Sequence, residues 1–225
     1  PDSNFHRPQP DCRATAVRLA GSPTGSKCEI SFKDCQIHCQ LRIPGLYNVY
    51  NALAAVTVGL KLGVNERRIV TKLAGFSTVF GRFETIRIGR RDATFCLIKN
   101  PAGATEVLRT IGLRSEPFEL AIMANDHFAD GQDVSWYWDT PFEMIAPRIN
   151  RLTCAGTRAN EMALRLKYAG FASEPDIFRT EAEAFSKLLN STSQTDLYVV
   201  STYTATLNLQ RILTKHRIKA AYWKE

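Results

Sequence analysis

The sequence predicts an α/β fold with a mostly parallel sheet, preceded by a smaller segment of short strands and two helices. Two observations carry the parallel sheet. From residue 93 onward, strand-like and helix-like runs alternate, the order that builds parallel strands through helical crossovers. Leu197-Tyr-Val-Val200 is a continuous apolar run rich in β-branched residues, as a strand buried on both faces should be. A third observation sets the first part apart: before residue 80 the runs are three short β-compatible stretches followed by two helical patterns.

Taken in order, residues 14–19, 27–32 and 36–43 are the β-compatible runs, separated by turn-rich stretches such as 21–25. Pro44-Gly45 then punctuates. Leu46, Tyr50, Leu53, Val56 and Leu60 recur at three- and four-residue steps up to Gly63, which predicts a helix. A second helix is capped by Asn65 and carries Ile69, Leu73 and Phe76 on one face. Residues 84–88 and 93–98 form a predicted hairpin around Gly89-Arg90-Arg91. Pro101 opens a helix to residue 111, and 118–124 is an apolar strand. Residues 151–155 are another strand, followed by a helix over about 158–169 that Gly170 ends. Thr180-x-x-Glu183 is a capping box ahead of Ala184, Leu188 and Leu189. After the strand at 197–200, a last helix carries Leu209 and Leu213. The change of texture near residues 79–82 places a domain boundary there, giving domains 1–80 and 81–225.

Composition narrows the function classes. With 225 residues, 44% apolar and 23% charged, the chain can form one large domain or a complete domain plus part of another. No stretch approaches ~18 uninterrupted apolar residues, so no membrane-spanning helix is expected. Residues 1–8 lack a basic segment followed by an apolar core, and there is no initiator Met; the expectation is a piece of a cytoplasmic protein. The net charge of +7 suits anionic ligands, but the basic residues are scattered, with short pairs only at Arg67-Arg68 and Arg90-Arg91. A solvated surface is therefore expected, not a nucleic-acid stripe. Cys96 and Cys154 lie in apolar runs and are expected as buried thiols. Cys35-x3-Cys39 has no second pair at matching spacing, so zinc is not predicted.

In a parallel sheet, ligands gather at the carboxyl ends of the strands. Three polar clusters fall there: Lys99-Asn100, Asn125-Asp126 continuing through Asp130 and Asp133, and Ser201 through Thr204. The run from Asp130 to Asp139 holds two of the three tryptophans among its carboxylates. An aspartate on such a loop can orient a histidine, or serve a magnesium-bound phosphate; it can equally cap its own turn. Asn48 and Asn51 lie one helical turn apart, and a side-chain amide can pair with an adenine edge.

Several strings together resemble the Mur ligases. Pro44-Gly-Leu-Tyr-Asn-Val-Tyr-Asn-Ala-Leu-Ala-Ala55 is similar to their Asn-containing helix, and Phe80-Gly-Arg-Phe-Glu84 to their hinge into the C-terminal domain. The strings 97–104, 129–139, Gly156-Thr-Arg158 and 201–205 resemble the MurT family of synthetase subunits. The resemblance implies a Rossmann-like Mur ligase C-terminal domain behind the tail of the central, ATP-binding domain. It implies amidation of the glutamate of lipid II to isoglutamine, with ATP and Mg2+, in a heterodimer with a GatD-like glutaminase. Lipid II would be met at the membrane surface. It further implies nucleotide contacts from Asn48, Asn51 and Arg82, with Arg158 among the site candidates. Asp139 or Asp133 would be the catalytic carboxylate that completes the partner's Cys-His pair, with Asp139 preferred.

Two departures qualify the expectation. The glycine-rich loop ending Gly-Lys-Thr or Gly-Lys-Ser is missing, so this chain alone is expected not to hydrolyse ATP. Residues 1–8 can be aligned with the tail of a zinc ribbon, but Ser3 stands where the last cysteine would be. Alternative functions are a Mur-like ligase adding an amino acid, against which the Trp-Tyr-Trp-Asp139 string argues, and a docking domain without chemistry.

Overall fold

A computed structural model describes residues 10–19, 25–33, 35–76 and 81–220. The segment compared with a zinc ribbon, most of the turn at 21–25, and Phe80 of the hinge string lie outside the described residues. The chain divides into two compact units, the first holding the described residues up to 76 and the second those from 81 onward.

The first unit begins with an antiparallel sheet in the order β1 (Cys12–Leu19), β2 (Ser26–Phe32), β3 (Cys35–Leu41). Alternation aims Cys28 and Ile30, with Ile37, Cys39 and Leu41, at one buried face. The helix α1 (Leu46–Lys61) closes that face with Val49, Ala52 and Val56. The helix α2 (Glu66–Gly75) starts where the Asn65 side chain accepts a hydrogen bond from the Arg67 amide at 3.0 Å. Cys28 and Cys39 face each other across the ladder, and all six cysteines are free thiols.

The second unit is the α/β domain. Its sheet runs β4 (Arg82–Ile88), β5 (Arg91–Leu97), β9 (Leu197–Ser201), β6 (Phe118–Met123), β7 (Ile149–Ala155), β8 (Asp176–Phe178). Only the edge strand β4 is antiparallel to its neighbour; the others run parallel. The crossover helices are α3 (Pro101–Ile111), α4 (Ala159–Tyr168), α5 (Glu181–Leu189) and α6 (Tyr203–Lys215). Phe95, Ala121, Met123, Ala155, Leu197 and Val199 form one core with Ala184, Phe185 and Leu188 of α5 and Leu209 and Leu213 of α6. The alternate residues Cys96, Leu120, Ile122, Cys154, Tyr198 and Val200 are equally buried, so the sheet is covered on both faces. Each Leu or Phe buried this way contributes on the order of 2 kcal/mol. Burial also pushes the Cys154 thiol up to about 12, as fits a core thiol and not a nucleophile.

Three features differ from the sequence expectations. Arg91 does not sit on a solvated turn: it starts β5, is almost wholly buried, and pairs with Glu119 of β6. Its Nη2 also donates to the Leu188 carbonyl at 2.9 Å, so the guanidinium is satisfied where the apolar core excludes water. The edge strand β8 is three residues long, too short to leave a periodic signal. Residues 135–148 contain three single 3-10 turns, at Ser135–Tyr137, Phe142–Met144 and Ala146–Arg148.

Candidate functional site

The carboxyl ends of β5, β9, β6 and β7 lie side by side, and the backbone stitches them together just beyond the strands. Ile98 donates to Ser201 at 2.9 Å, Thr202 to Met123 at 3.0 Å, and Ala124 to Ala155 at 2.8 Å. At the centre of this row stands Asn125, only 2% exposed. Its Nδ2 donates to Glu181 Oε1 at 2.6 Å and Thr204 Oγ1 at 3.1 Å, and its Oδ1 accepts from the Thr157 amide at 2.9 Å. Its amide nitrogen donates to Thr202 Oγ1 at 3.0 Å. One side chain therefore ties the loops after β6, β7 and β9 to the start of α5. Gly156 is required beside it: its φ is +99°, and a Cβ there would lie 2.5 Å from both Ala124 O and Asn125 Oδ1.

Asp130 is buried and turned onto the N-terminus of α6. Its Oδ1 accepts from the Thr204 amide at 2.7 Å and its Oδ2 from Thr204 Oγ1 at 2.5 Å, so it caps a helix end that favours negative charge. Asp126 accepts from Thr157 Oγ1 and from Arg158 Nε, each at 2.8 Å. The Thr157 hydroxyl first, and then Arg158, hold the Asp126 carboxyl below its ordinary value. Arg158 also pairs with Glu161 at 2.5 Å, which leaves Asp126–Arg158–Glu161 as a charged rim. Between rim and core, the Tyr137 hydroxyl is buried without a hydrogen-bond partner among the described residues. Burial, and then the charges of Asp130 and Asp126, push its phenol up, so it stays protonated.

The two candidate carboxylates of the acidic loop differ in what they do. Asp133 Oδ1 accepts from the Ser135 amide at 2.8 Å, an Asx turn that starts the first 3-10 turn; the Ser135 hydroxyl first, and then this amide, lower the carboxyl's pKa. Asp139 is exposed, and its carboxylate makes no hydrogen bond or ion pair among the described residues. Beside it Trp138, 53% exposed, leans on Tyr168 with ring centroids 5.7 Å apart. Tyr137 and Phe142 anchor the loop in the core. The backbone around Asp139 is held by Arg165 of α4, which donates to the carbonyls of Tyr137 and Thr140.

The remaining candidates sit as follows. Lys99 is exposed at the end of β5, its Nζ 5.9 Å from the Tyr203 ring. Asn100 caps α3, its Oδ1 accepting from the Gly103 amide at 2.8 Å. Arg82, exposed, opens β4 beside Gly81 and makes no ion pair among the described residues. Glu84 fixes that corner: it accepts from the Gly81 amide and from Gln210 Nε2, each at 3.2 Å, and pairs with Lys219. In the first unit, Asn48 is buried and its Nδ2 donates to the Pro44 carbonyl at 2.7 Å, holding the entry to α1. Asn51 is exposed one turn on, 3.4 Å from Asn48 Oδ1.

The structure thus unites Asp126 with Arg158 and Asp130 with Thr204, and distinguishes Asp133, bonded to the Ser135 amide, from Asp139, whose carboxylate has no partner among the described residues. The sequence reading missed Arg165 and Glu181. A signal for Arg165 exists: it interrupts the apolar face formed by Met162 and Leu166 of α4 and by Ala169 at its C-cap. Glu181 follows the capping residue Thr180, where acidic residues are common, so nothing marks it as a partner of Asn125. Among the described residues no group of three His, Cys, Asp or Glu side chains could hold a metal ion, and no helix is long and apolar enough to cross a membrane.

Comparison with known proteins gives a consistent result. A family model described as MurT ligase C-terminal matches residues 97–206. The chain is 38% identical over 179 residues to the lipid II isoglutaminyl synthase (glutamine-hydrolyzing) subunit MurT of Streptococcus pneumoniae, an alignment covering 79% of this chain and 40% of that protein. The chain therefore spans about two fifths of the length of this relative. In fold it is similar to a crystal structure of MurF from Acinetobacter baumannii, with a TM-score of 0.69 and 18% identity over 93% of this chain and 46% of that one. It is also similar to the MurF ligase of Thermotoga maritima solved in complex with ADP, with a TM-score of 0.62 and 14% identity over 91% of this chain and 45% of that one. The fold is that of the Mur ligases, and residues 97–206 of the chain belong to the MurT ligase C-terminal family.

Proposed function

We propose that this chain is the C-terminal part of the synthetase subunit of a glutamine-dependent amidotransferase that amidates the glutamate of lipid II. On this reading, residues 1–80 are the tail of the central nucleotide-binding domain and 81–225 the C-terminal domain. ATP phosphorylates the glutamate carboxylate to an acyl phosphate, releasing ADP. Ammonia, freed from glutamine by a GatD-like glutaminase, attacks the acyl carbon; phosphate leaves and the nitrogen sheds a proton, giving isoglutamine. The pneumococcal MurT relative, a subunit of a glutamine-hydrolyzing lipid II isoglutaminyl synthase, supports the substrate and the nitrogen source. The ADP bound by the Thermotoga MurF supports a nucleotide for this fold.

Each residue has a proposed task. Asn51, exposed on α1, meets the adenine edge, and Asn48 supports it from below by holding the Pro44 carbonyl. Arg82, exposed and without an ion-pair partner among the described residues, clamps a nucleotide phosphate. Mg2+ would travel with the phosphates; the described residues offer no three-carboxylate nest for it. Lys99 and the Asp126–Arg158 rim stand at the strand ends where an acyl substrate would lie.

The observation that carries the proposal is the isolation of Asp139. A carboxylate held at an exposed tip, beside a half-exposed tryptophan and without any partner of its own among the described residues, is placed to serve a group on another subunit. Orienting the imidazole of a Cys-His pair is chemistry that needs only such a carboxylate. The experiment is direct. The full-length protein, incubated with its glutaminase, ATP, lipid II and glutamine labelled in the amide nitrogen, is expected to place the label in the glutamate α-carboxamide. Unlabelled product, or addition of a whole amino acid, contradicts the proposal.

A further inference from the structure

We infer that Arg165 is a positioning residue for Asp139, acting through the backbone on either side of the Trp138-Asp139 tip. This inference rests on the role proposed for Asp139 above.

Arg165 lies on the inward face of α4 and is 4% exposed. A guanidinium is costly to bury unless its donors are met, so its partners reveal what it is held for. Nε donates to the Tyr137 carbonyl at 3.0 Å and Nη2 to the Thr140 carbonyl at 2.7 Å. Those two carbonyls bracket residues 138 and 139. Nη2 also pairs with Glu143 Oε1 at 2.8 Å. The guanidinium carbon lies 5.6 Å from the Trp138 ring centroid and 5.5 Å from that of Phe142. One planar fork therefore fixes the segment before the tip, the segment after it and the tryptophan on it.

The Asp139 side chain has no partner of its own among the described residues, so its place in space follows from its backbone. A 3-10 turn has poor internal hydrogen bonds and few of them. The Asp139 amide donates to the Trp136 carbonyl at 3.2 Å, the Thr140 hydroxyl to the same carbonyl at 3.1 Å, and the Trp138 amide to the Ser135 carbonyl at 2.9 Å; Tyr137 and Phe142 anchor the flanks, and Arg165 adds a side-chain hold that spans the tip from one carbonyl to the other. A carboxylate that must meet an imidazole on another subunit tolerates little displacement: an error of about 1 Å can cost roughly 10²-fold in rate. A lysine offers one point charge in place of the fork and cannot serve both carbonyls in the same geometry.

The test uses the full-length synthetase with its glutaminase, assayed in parallel with glutamine and with ammonium as nitrogen source. Arg165→Lys is expected to lower the glutamine-driven rate about ten-fold or more and to leave the ammonium-driven rate within about two-fold. Ammonium-driven synthesis is the readout that a purely structural role would pull down equally. Because the buried site can be intolerant, Glu143→Gln is the second variant. Glu143 is half-exposed and shares Nη2 with the Thr140 carbonyl, so losing its charge loosens that arm of the fork without freeing it, and a selective drop of about two- to five-fold is expected. Equal loss of both rates in Arg165→Lys, or an unchanged glutamine-driven rate in Glu143→Gln, overturns the inference. Asp139→Asn run alongside separates the two levels. If it keeps the glutamine-driven rate, the proposed role of Asp139 falls and this inference with it; if it loses that rate while the Arg165 and Glu143 variants do not, only the inference falls.

Discussion

Asn125 Nδ2 donates to Glu181 Oε1 at 2.6 Å, joining the end of β6 to the start of α5 across 56 positions of the chain. Both residues are buried. In Asn125→Ala the Glu181 carboxylate keeps, among the described residues, Asn208 at 3.4 Å, and the Thr157 amide loses its acceptor. Leaving buried polar groups unpaired costs about 1–3 kcal/mol each, so a loss of about 2–4 kcal/mol is expected. Urea unfolding measures it as a lower midpoint at unchanged slope.

Glu119→Ala strands Arg91 in the core with a positive charge and one remaining carbonyl partner, Leu188. A loss of about 3–5 kcal/mol is expected. The double variant Arg91→Met, Glu119→Leu should recover much of it, because it removes both charges and keeps the volume. A thermal-denaturation cycle over the parent, Arg91→Met, Glu119→Leu and the double variant reads the coupling directly.

Asp126 provides a pH signature. Its folded pKa is depressed by Thr157 and Arg158, so its contribution to stability is complete above the unfolded value of about 3.9. That contribution is lost as pH falls through the lower folded pKa. Asp126→Asn should therefore flatten the stability-versus-pH curve below about pH 4 and change little of its slope at neutral pH. An identical acid slope in both proteins counts against the ion pair.

In the full-length protein, Asn51→Ala should weaken ATP binding by about five- to ten-fold, the worth of one side-chain hydrogen bond. Asn48→Ala should instead lower the melting temperature first, since its amide is spent on the Pro44 carbonyl. Calorimetric titration with ATP separates the two. Unchanged affinity in Asn51→Ala removes the adenine role.

The second unit was legible in the sequence because its physics is periodic. Leu197-Tyr-Val-Val200 announced a strand buried on both faces, and Thr180 with Glu183 formed the capping box the spacing requires. Polar clusters at strand ends were found for the same reason: topology places them there before any side chain is known. What stayed hidden depends on contacts far apart in sequence. Arg91 reads as half of an exposed basic pair until Glu119, 28 positions on, is seen to meet it. Asp133 and Asp139 are equal in a string of letters; only the Ser135 amide on one, and nothing on the other among the described residues, sets them apart. Arg165 was missed because a single arginine in a helix usually lies on its wet side.

The central claim is that Asp139 acts on a partner's histidine and not on the ligase chemistry of its own chain. Asp139→Asn in the full-length complex, assayed for lipid II amidation, tests this most directly. The account predicts that glutamine-driven amidation falls by more than about 10²-fold while ammonium-driven amidation stays within about two-fold of the parent, because an amide cannot hold the imidazole tautomer. Loss of both activities together would put Asp139 in the ligase site, and retention of both would reduce it to a surface residue.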